Sequence, residues 1–288
     1  MSLHVTVVHA CQRAGQGGSP TAVVNETLLT DAQRRAVAIA AGTSHVVFIS
    51  TEERGSGRPA ASLRFFTAAG ELPGCGHGTV AALAVLAKRA RTREYEVVLR
   101  SGGRTFRGHA TGRGDGYEAT FDPGRVELRA VATSEGEPIL SALGIVSDQA
   151  SGCRIASIGR PRMLVEVVGR EALADLAPDM TRLREACDRR GLLGCYVYST
   201  PTDGRAAARM FAPSIGVPED IANANSTAGL AAHVADRGLS TLDVDMGDSL
   251  GAPSTIVATA RPDPNGLLVR VGGTATITAT ITVDIPAI

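Results

Sequence analysis

The chain has no tryptophan, and aromatic residues fill only 3% of its 288 positions. A surface this poor in aromatic rings offers few platforms for stacking unpaired bases. Net charge is missing too. The 29 basic and 29 acidic side chains cancel, so nothing draws the chain to nucleic acid or to an anionic membrane. Lysine occurs once, at Lys88, while arginine is plentiful. That bias fits a G+C-rich genome and argues against Schiff-base chemistry. No uncharged apolar run reaches the roughly 18 residues of a membrane span, and Met1 to Pro20 lacks a basic start followed by an apolar run. The expected location is the cytosol. The five cysteines, Cys11, Cys75, Cys153, Cys187 and Cys195, are odd in number, scattered and free of any Cys-x-x-Cys pair. Neither a disulfide framework nor a metal site is indicated.

What the chain does have is 44% hydrophobic and 20% charged residues, the composition of a soluble globular protein, at a length that fits two domains. One stretch organises it. Glu71-Leu72-Pro73-Gly74 is a turn that runs through Cys75-Gly76-His77-Gly78-Thr79 into an uncharged helix, Val80 to Ala87. A helix apolar all round belongs in the middle of a domain. The glycines at its start let backbone approach a ligand. The first amides of a helix point outward without intrahelical partners, a setting for a small anion. The same pattern also fits an ordinary glycine-rich turn before a core helix.

Alternation and β-branched residues predict strands over Leu3 to Ala10, Thr21 to Val24, Val46 to Ser50, Ser62 to Thr67, Glu94 to Ser101, Gly103 to Ala110 and Tyr117 to Asp122. Thr30-Asp31 caps a helix from Ala32 to Ala41, and Glu52 to Pro59 reads as a polar turn. In the second half the predicted strands are Ala130 to Glu137, Cys153 to Val168 with a turn at Gly159, Gly194 to Thr200, Ala206 to Ala212, Ile256 to Ala260, Gly266 to Val271 and Ala275 to Val283. Helices are expected at Ser141 to Gly144, Pro178 to Arg190 and Thr227 to Asp236. The halves repeat. Ser50-Thr51 falls on Ser199-Thr200, Phe66 on Phe211 and Thr79 on Thr227 at a nearly constant spacing. The expected fold is therefore α/β, with two pseudo-symmetric domains, 1–124 and 125–288, each wrapping strands around one central helix. The last strand is expected to pack back on the first domain. A small-molecule site is expected where the two helix N-termini meet.

Leu63-Arg64-Phe65-Phe66-Thr67 followed by Glu71-Leu72-Pro73-Gly74-Cys75-Gly76-His77-Gly78-Thr79 resembles the signature of the PhzF family of phenazine-biosynthesis-type isomerases. Gly18-Ser19-Pro20-Thr21-Ala22-Val23-Val24, Gly159-Arg160-Pro161-Arg162-Met163-Leu164-Val165, Arg209-Met210-Phe211-Ala212-Pro213 with Glu219-Asp220, Met246-Gly247 to Ser254, and Val271-Gly272-Gly273 resemble further family segments in the family's order. The resemblance implies the diaminopimelate-epimerase-like fold, proton transfer without a cofactor, a small carboxylic acid as substrate, and a homodimer. Its branch serving 4-alkylproline units of lincosamide- or pyrrolobenzodiazepine-type antibiotics acts on small diene acids, which suggests secondary metabolism here.

The departures concern the chemistry. Where family isomerases carry a glutamate just before a strand, this chain has Thr43-Ser44-His45-Val46, and the second motif becomes Asp220-Ile221-Ala222-Asn223-Ala224-Asn225. A histidine, with an ordinary pKa of about 6.5, accepts and releases a proton near neutrality more readily than an unperturbed carboxylate. His45 is thus the expected base, with His77 and Asp220 beside it. His77 serves equally for orientation, and Asp220 equally for capping a turn. The substrate's carboxylate is expected on Gly76, Gly78 and Thr79 and on Asn223, Asn225, Ser226 and Thr227, with Cys75 and Ser19 lining the same site. Racemases of this fold use two thiols. Cys75 stands where one would be, and its counterpart reads as Asn225, so a dithiol mechanism is not expected. A thiolate at Cys75 and a merely buried Cys75 both remain open, as do an epimerase and a non-catalytic relative that binds a small acid or a protein.

Overall fold

The computed structural model describes residues 1–52, 58–146, 150–264 and 266–286. The polar turn expected over 52–59 falls largely on 53–57, outside the described residues. The chain divides into two compact units, Met1–Asp122 with Gly272–Ile288, and Pro123–Val271. The segment from Gly272 onward counts with the first unit, and the division falls after Asp122. Among the described residues no helix is long and apolar enough to cross a membrane.

The first unit opens with β1 (Ser2–Gln12), β2 (Ser19–Asn25), α1 (Asp31–Ala40), β3 (His45–Thr51), β4 (Ala60–Phe66) and the short β5 (Glu71–Leu72). It continues with α2 (Gly76–Ala90), β6 (Glu94–Ser101), β7 (Arg104–Arg113) and β8 (Gly116–Phe121). Helix α1 starts where its cap predicts. The Gln33 amide donates to Thr30 Oγ1 (3.2 Å) and the Thr30 amide to Gln33 Oε1 (2.9 Å), a reciprocal capping box. Strand β3 is buried from His45 through Ile49 because both its faces are covered. Val46 and Phe48 join Val37, Ala38 and Phe66 in the core beneath α1. The pleat turns Val47 and Ile49 to the opposite side. Helix α2 is buried from His77 through Ala87 and packs against β1, β2, β3, β6, β7 and β8. Only its last turn, with Lys88 and Arg89, reaches the surface, where cations suit the negative end of the helix.

The second unit contains β9 (Glu127–Ala130), α3 (Thr133–Leu143), β10 (Ala150–Ile158), β11 (Arg160–Val167), α4 (Gly169–Ala174), α5 (Met180–Asp188), β12 (Cys195–Ser199) and β13 (Arg205–Ala212). It goes on with β14 (Val217–Asp220), α6 (Ala224–Ala235), β15 (Thr241–Met246), β16 (Ser254–Asp263) and the start of β17 (Gly266–Asp284). Helix α6 is its central helix, against β9, β10, β11, β15 and β16. The strand expected over Ala130 to Glu137 ends at Ala130, and α3 follows. Gly136, Ile139, Leu140 and Leu143 are its buried side, at helical spacing, packed on Leu183, Ala186 and Cys187 of α5. Helix α4 and strand β15 were not anticipated, and the two predicted closing strands form one continuous β17.

The repeat extends to strand register. Ala22 lies beside Val46 across parallel β2–β3, and Met163 beside Cys195 across parallel β11–β12. Val46 faces Phe66 across β3–β4, and Cys195 faces Phe211 across β12–β13. A side-chain clamp repeats as well. Arg64 on β4 makes two 2.8 Å bonds to Glu71 on β5 and lies 5.0 Å over Phe66. Arg209 on β13 makes two 2.9 Å bonds to Glu219 on β14 and lies 4.9 Å over Phe211. Each clamp fixes the segment that feeds a central helix, and so positions that helix's first turn.

Candidate active site

The first residues of α2 and the first residue of β3 come together in the first unit. Cys75 is the N-cap of α2, and its Sγ accepts from the Gly78 amide at 3.4 Å. Thr79 Oγ1 donates to the Cys75 carbonyl at 2.8 Å, closing the first turn. Space at Gly78 is tight, since a Cβ there would sit 3.0 Å from the Phe65 ring and 3.1 Å from Cys75 Sγ. His77, the second helical residue, points its Nε2 at Cys75 Sγ, 3.3 Å away, close enough to share a proton. The His45 ring meets the His77 ring edge to face, 4.4 Å between centroids. All three side chains are buried: His45 is 6%, Cys75 8% and His77 2% exposed. Burial first, and the neighbouring His77 second, push the His45 imidazole well below its ordinary 6.5. His45 is therefore neutral at pH 7. Its Nδ1 lies 2.9 Å from Ser44 Oγ. With that nitrogen donating to the serine, Nε2 keeps its lone pair, the form a general base needs.

Ser19 opens β2, is buried, and pairs with Ala10 of β1, while its carbonyl accepts from Thr21 Oγ1 at 3.2 Å. Thr21 lies beside His45 in the β2–β3 register, so Ser19 is on the strand next to the histidine.

The remaining expected residues belong to the second unit. Asn223 is the N-cap of α6, its Oδ1 accepting from the Ser226 amide at 3.0 Å and its Nδ2 donating to Asp220 Oδ2 at 3.0 Å. Thr227 Oγ1 donates to the Asn223 carbonyl at 3.1 Å, as Thr79 does to Cys75. The counterpart of Cys75 is thus Asn223 and not Asn225, because each caps its helix by accepting the amide three residues on. The second thiol is absent under either alignment. Asn225 stands at the half-buried second position of α6, matching His77. Ser226 is buried, with Oγ 3.5 Å from Met210 Sδ. By register, the second unit's position for His45 is Gly194, where a Cβ would lie 2.0 Å from the Phe211 carbonyl oxygen.

Sequence reasoning missed two residues here. Tyr196 is fully buried, with its hydroxyl 2.8 Å from Thr227 Oγ1, and burial pushes its pKa up. Arg162 is 2% exposed, its Nη2 donating to the Arg160 carbonyl at 2.9 Å while Nε and Nη1 have no hydrogen-bond partner. Both look like ordinary strand residues in the sequence, and only the repeat, which sets Arg162 in the place of Thr21, marks the second.

Comparison with known proteins follows the same outline. The family model of phenazine biosynthesis-like proteins, PhzC-PhzF, matches residues 9–280. An uncharacterised isomerase of Clostridium acetobutylicum is 28% identical over 278 residues, 90% of this chain and 91% of that protein. Trans-2,3-dihydro-3-hydroxyanthranilate isomerase of Pseudomonas fluorescens is 28% identical over 264 residues, 85% of each. The crystal structure of a PhzF-family phenazine biosynthesis protein of Bacillus anthracis superposes with a TM-score of 0.84 at 16% identity, covering 99% of this chain and 100% of that one.

Proposed function

The chain belongs to the PhzC-PhzF family of phenazine biosynthesis-like isomerases, and from that premise we propose that it moves a proton, and with it a double bond, along a small unsaturated amino or cyclic carboxylic acid. The observation that carries the reading is the buried cluster of His45, His77 and Cys75 at the tip of an apolar helix. A neutral His45 takes a proton from a carbon next to the conjugated acid. The electron pair shifts through the conjugated system, and the imidazolium returns the proton at another carbon, so no proton is gained or lost. Forming that imidazolium in a buried place is unfavourable alone. A bound carboxylate and the developing dienolate offset it by supplying the opposite charge. The first turn of α2 carries no acidic side chain, so the positive helix end is available to that anion. His77, between His45 and Cys75, orients the base and passes protons.

The relative that acts on a dihydro-hydroxyanthranilate supports a cyclic diene acid and a place in secondary metabolism. A two-thiol epimerase is disfavoured, since Asn223 stands where the second thiol would be.

The test is proton NMR in deuterated water with candidate diene and dihydroaromatic acids, chelator present and no cofactor added, comparing wild type with His45→Ala. The proposal expects deuterium uptake with a displaced double bond, reduced at least about 100-fold in the variant, as for loss of a general base. Exchange that survives the substitution moves the base to His77, Asp220 or Cys75. Exchange at a stereocentre with the double bond in place makes the enzyme an epimerase. An acid that binds without any exchange marks a binding protein.

A further inference from the structure

The same three side chains are a ligand set for a transition metal. One nitrogen each from His45 and His77 and the sulfur of Cys75 all lie within 4.8 Å of one another. In a tetrahedral zinc site, Zn–N bonds of about 2.0–2.1 Å and Zn–S bonds of about 2.3 Å put neighbouring ligand atoms roughly 3.3–3.7 Å apart. A nitrogen and a sulfur on one such ion lie about 3.5–3.6 Å apart; Cys75 Sγ and His77 Nε2, at 3.3 Å, are within about 0.3 Å of that, and the His45 nitrogen, within 4.8 Å of both, has only a short distance to move. We propose that His45, Cys75 and His77 bind one zinc-class divalent ion, with the fourth position open, and that the bound ion switches off proton transfer.

Chemistry supports the choice of ion. Two imidazoles and one sulfur are borderline-to-soft donors that suit zinc or cobalt and not magnesium or calcium. No carboxylate belongs to the set. Part of the site is built in advance, since Cys75 and His77 already face one another, and only His45 has to turn. Cys75 is held as helix cap by the Gly78 amide, and His45 by Ser44, the kind of outer partners that orient ligands. On binding, the thiol gives up its proton to solvent and both imidazoles donate their lone pairs to the ion. Those are the lone pairs a base needs, so a metal and a working base exclude each other. The inhibition rests on the isomerase reading; the binding does not.

The experiment is a titration of reduced, chelator-treated protein with cobalt(II) under nitrogen, followed by zinc(II). The expected result is one equivalent of cobalt with the intense visible bands of a tetrahedral site and a near-ultraviolet thiolate-to-cobalt band, both abolished by one equivalent of zinc. Cys75→Ser, which keeps an oxygen at the N-cap and so preserves the fold, loses the thiolate band. His77→Asn and Cys75→Ser each weaken zinc binding at least about 100-fold, the upper end of what even outer partners contribute. Cys153→Ser, which alters the half-buried thiol outside the cluster, changes nothing. A thiolate band that persists in Cys75→Ser, or wild-type zinc affinity no tighter than that of His77→Asn, overturns the site. Exchange in the metal-free enzyme that zinc leaves untouched while it binds overturns the switch alone. Absence of exchange in the metal-free enzyme counts against the isomerase reading and leaves the spectroscopic result standing.

Discussion

The duplicated clamps allow one interaction to be weighed in two settings. Arg209 and Glu219 are 13% and 10% exposed, and Arg209 Nη1 also donates to the Leu173 and Leu176 carbonyls at 3.1 and 2.8 Å. Arg64 and Glu71, with the same two-bond geometry, are 37% and 41% exposed. Glu219→Gln leaves a guanidinium with a neutral partner in a place water scarcely reaches. Charge-assisted hydrogen bonds contribute about 1.5–3 kcal/mol each, and one of the two survives in weakened form, so the expected loss is about 2–3 kcal/mol. Glu71→Gln exposes its arginine to solvent that screens and hydrates it, and the expected loss is under about 1 kcal/mol. Urea unfolding followed by far-ultraviolet circular dichroism measures both. At a slope near 3 kcal/mol per molar, the midpoint falls by about 0.7–1 M for Glu219→Gln and by under about 0.3 M for Glu71→Gln. Added salt should narrow the smaller effect and leave the larger one. Equal shifts, or a larger shift for Glu71→Gln, would refute the argument that burial sets the strength of this pair.

Two further outcomes follow from buried titratable groups. Burial, and then Arg160, lower the Arg162 guanidinium from its ordinary value to about 10, so its buried charge is disfavoured. Arg162→Met keeps the stem and removes the unpaired donors, so we expect a gain of about 1–3 kcal/mol and a melting midpoint a few degrees higher; a lower midpoint would show that the guanidinium is satisfied. For His45, whose folded pKa lies below its unfolded value of 6.5, the unfolded chain binds the proton first as pH falls. Its contribution to stability is full above about pH 6.5 and is lost on acidification towards the folded pKa. With chelator present, the stability of the wild type should therefore slope downward below pH 6.5 more steeply than that of His45→Gln, and parallel curves would contradict the assignment.

Much of this was readable in advance, for physical reasons that also explain the misses. Helix α2 announces itself because a run such as Val80 to Ala87 has no polar side to show solvent, and α1 because Thr30 and Gln33 satisfy each other locally. The likeness of β3–β4 to β12–β13 shows in the repeat of Phe66 in Phe211. By contrast, only the end of α3 is expected as helix, at Ser141 to Gly144, while Val131 and Thr133 favour extension at its start; its helical period lies in Gly136, Ile139, Leu140 and Leu143, across Pro138. Cys75 and His77 were legible as a pair because they are neighbours in one motif. Their approach to His45 depends on the first residue of a distant strand, which no local pattern encodes. The misalignment of Cys75 with Asn225 has the same origin, since a cap is defined by the bond it accepts.

The closing strand sets an order of assembly. β17 pairs with β1 from Ser2 opposite Asp284 to Gln12 opposite Thr274, and Val283 and Ile285 complete the core under α1. The first unit therefore cannot complete its sheet until the residues after Val271 are free to fold, whereas the second is one contiguous stretch, Pro123–Val271. Folding of the amino-terminal domain before the rest is thus denied to this unit. Until residues 274–284 pair with it, β1 has an open edge of the kind that other chains can join. A released chain truncated after residue 271 should resist protease in its second half and be cut in its first.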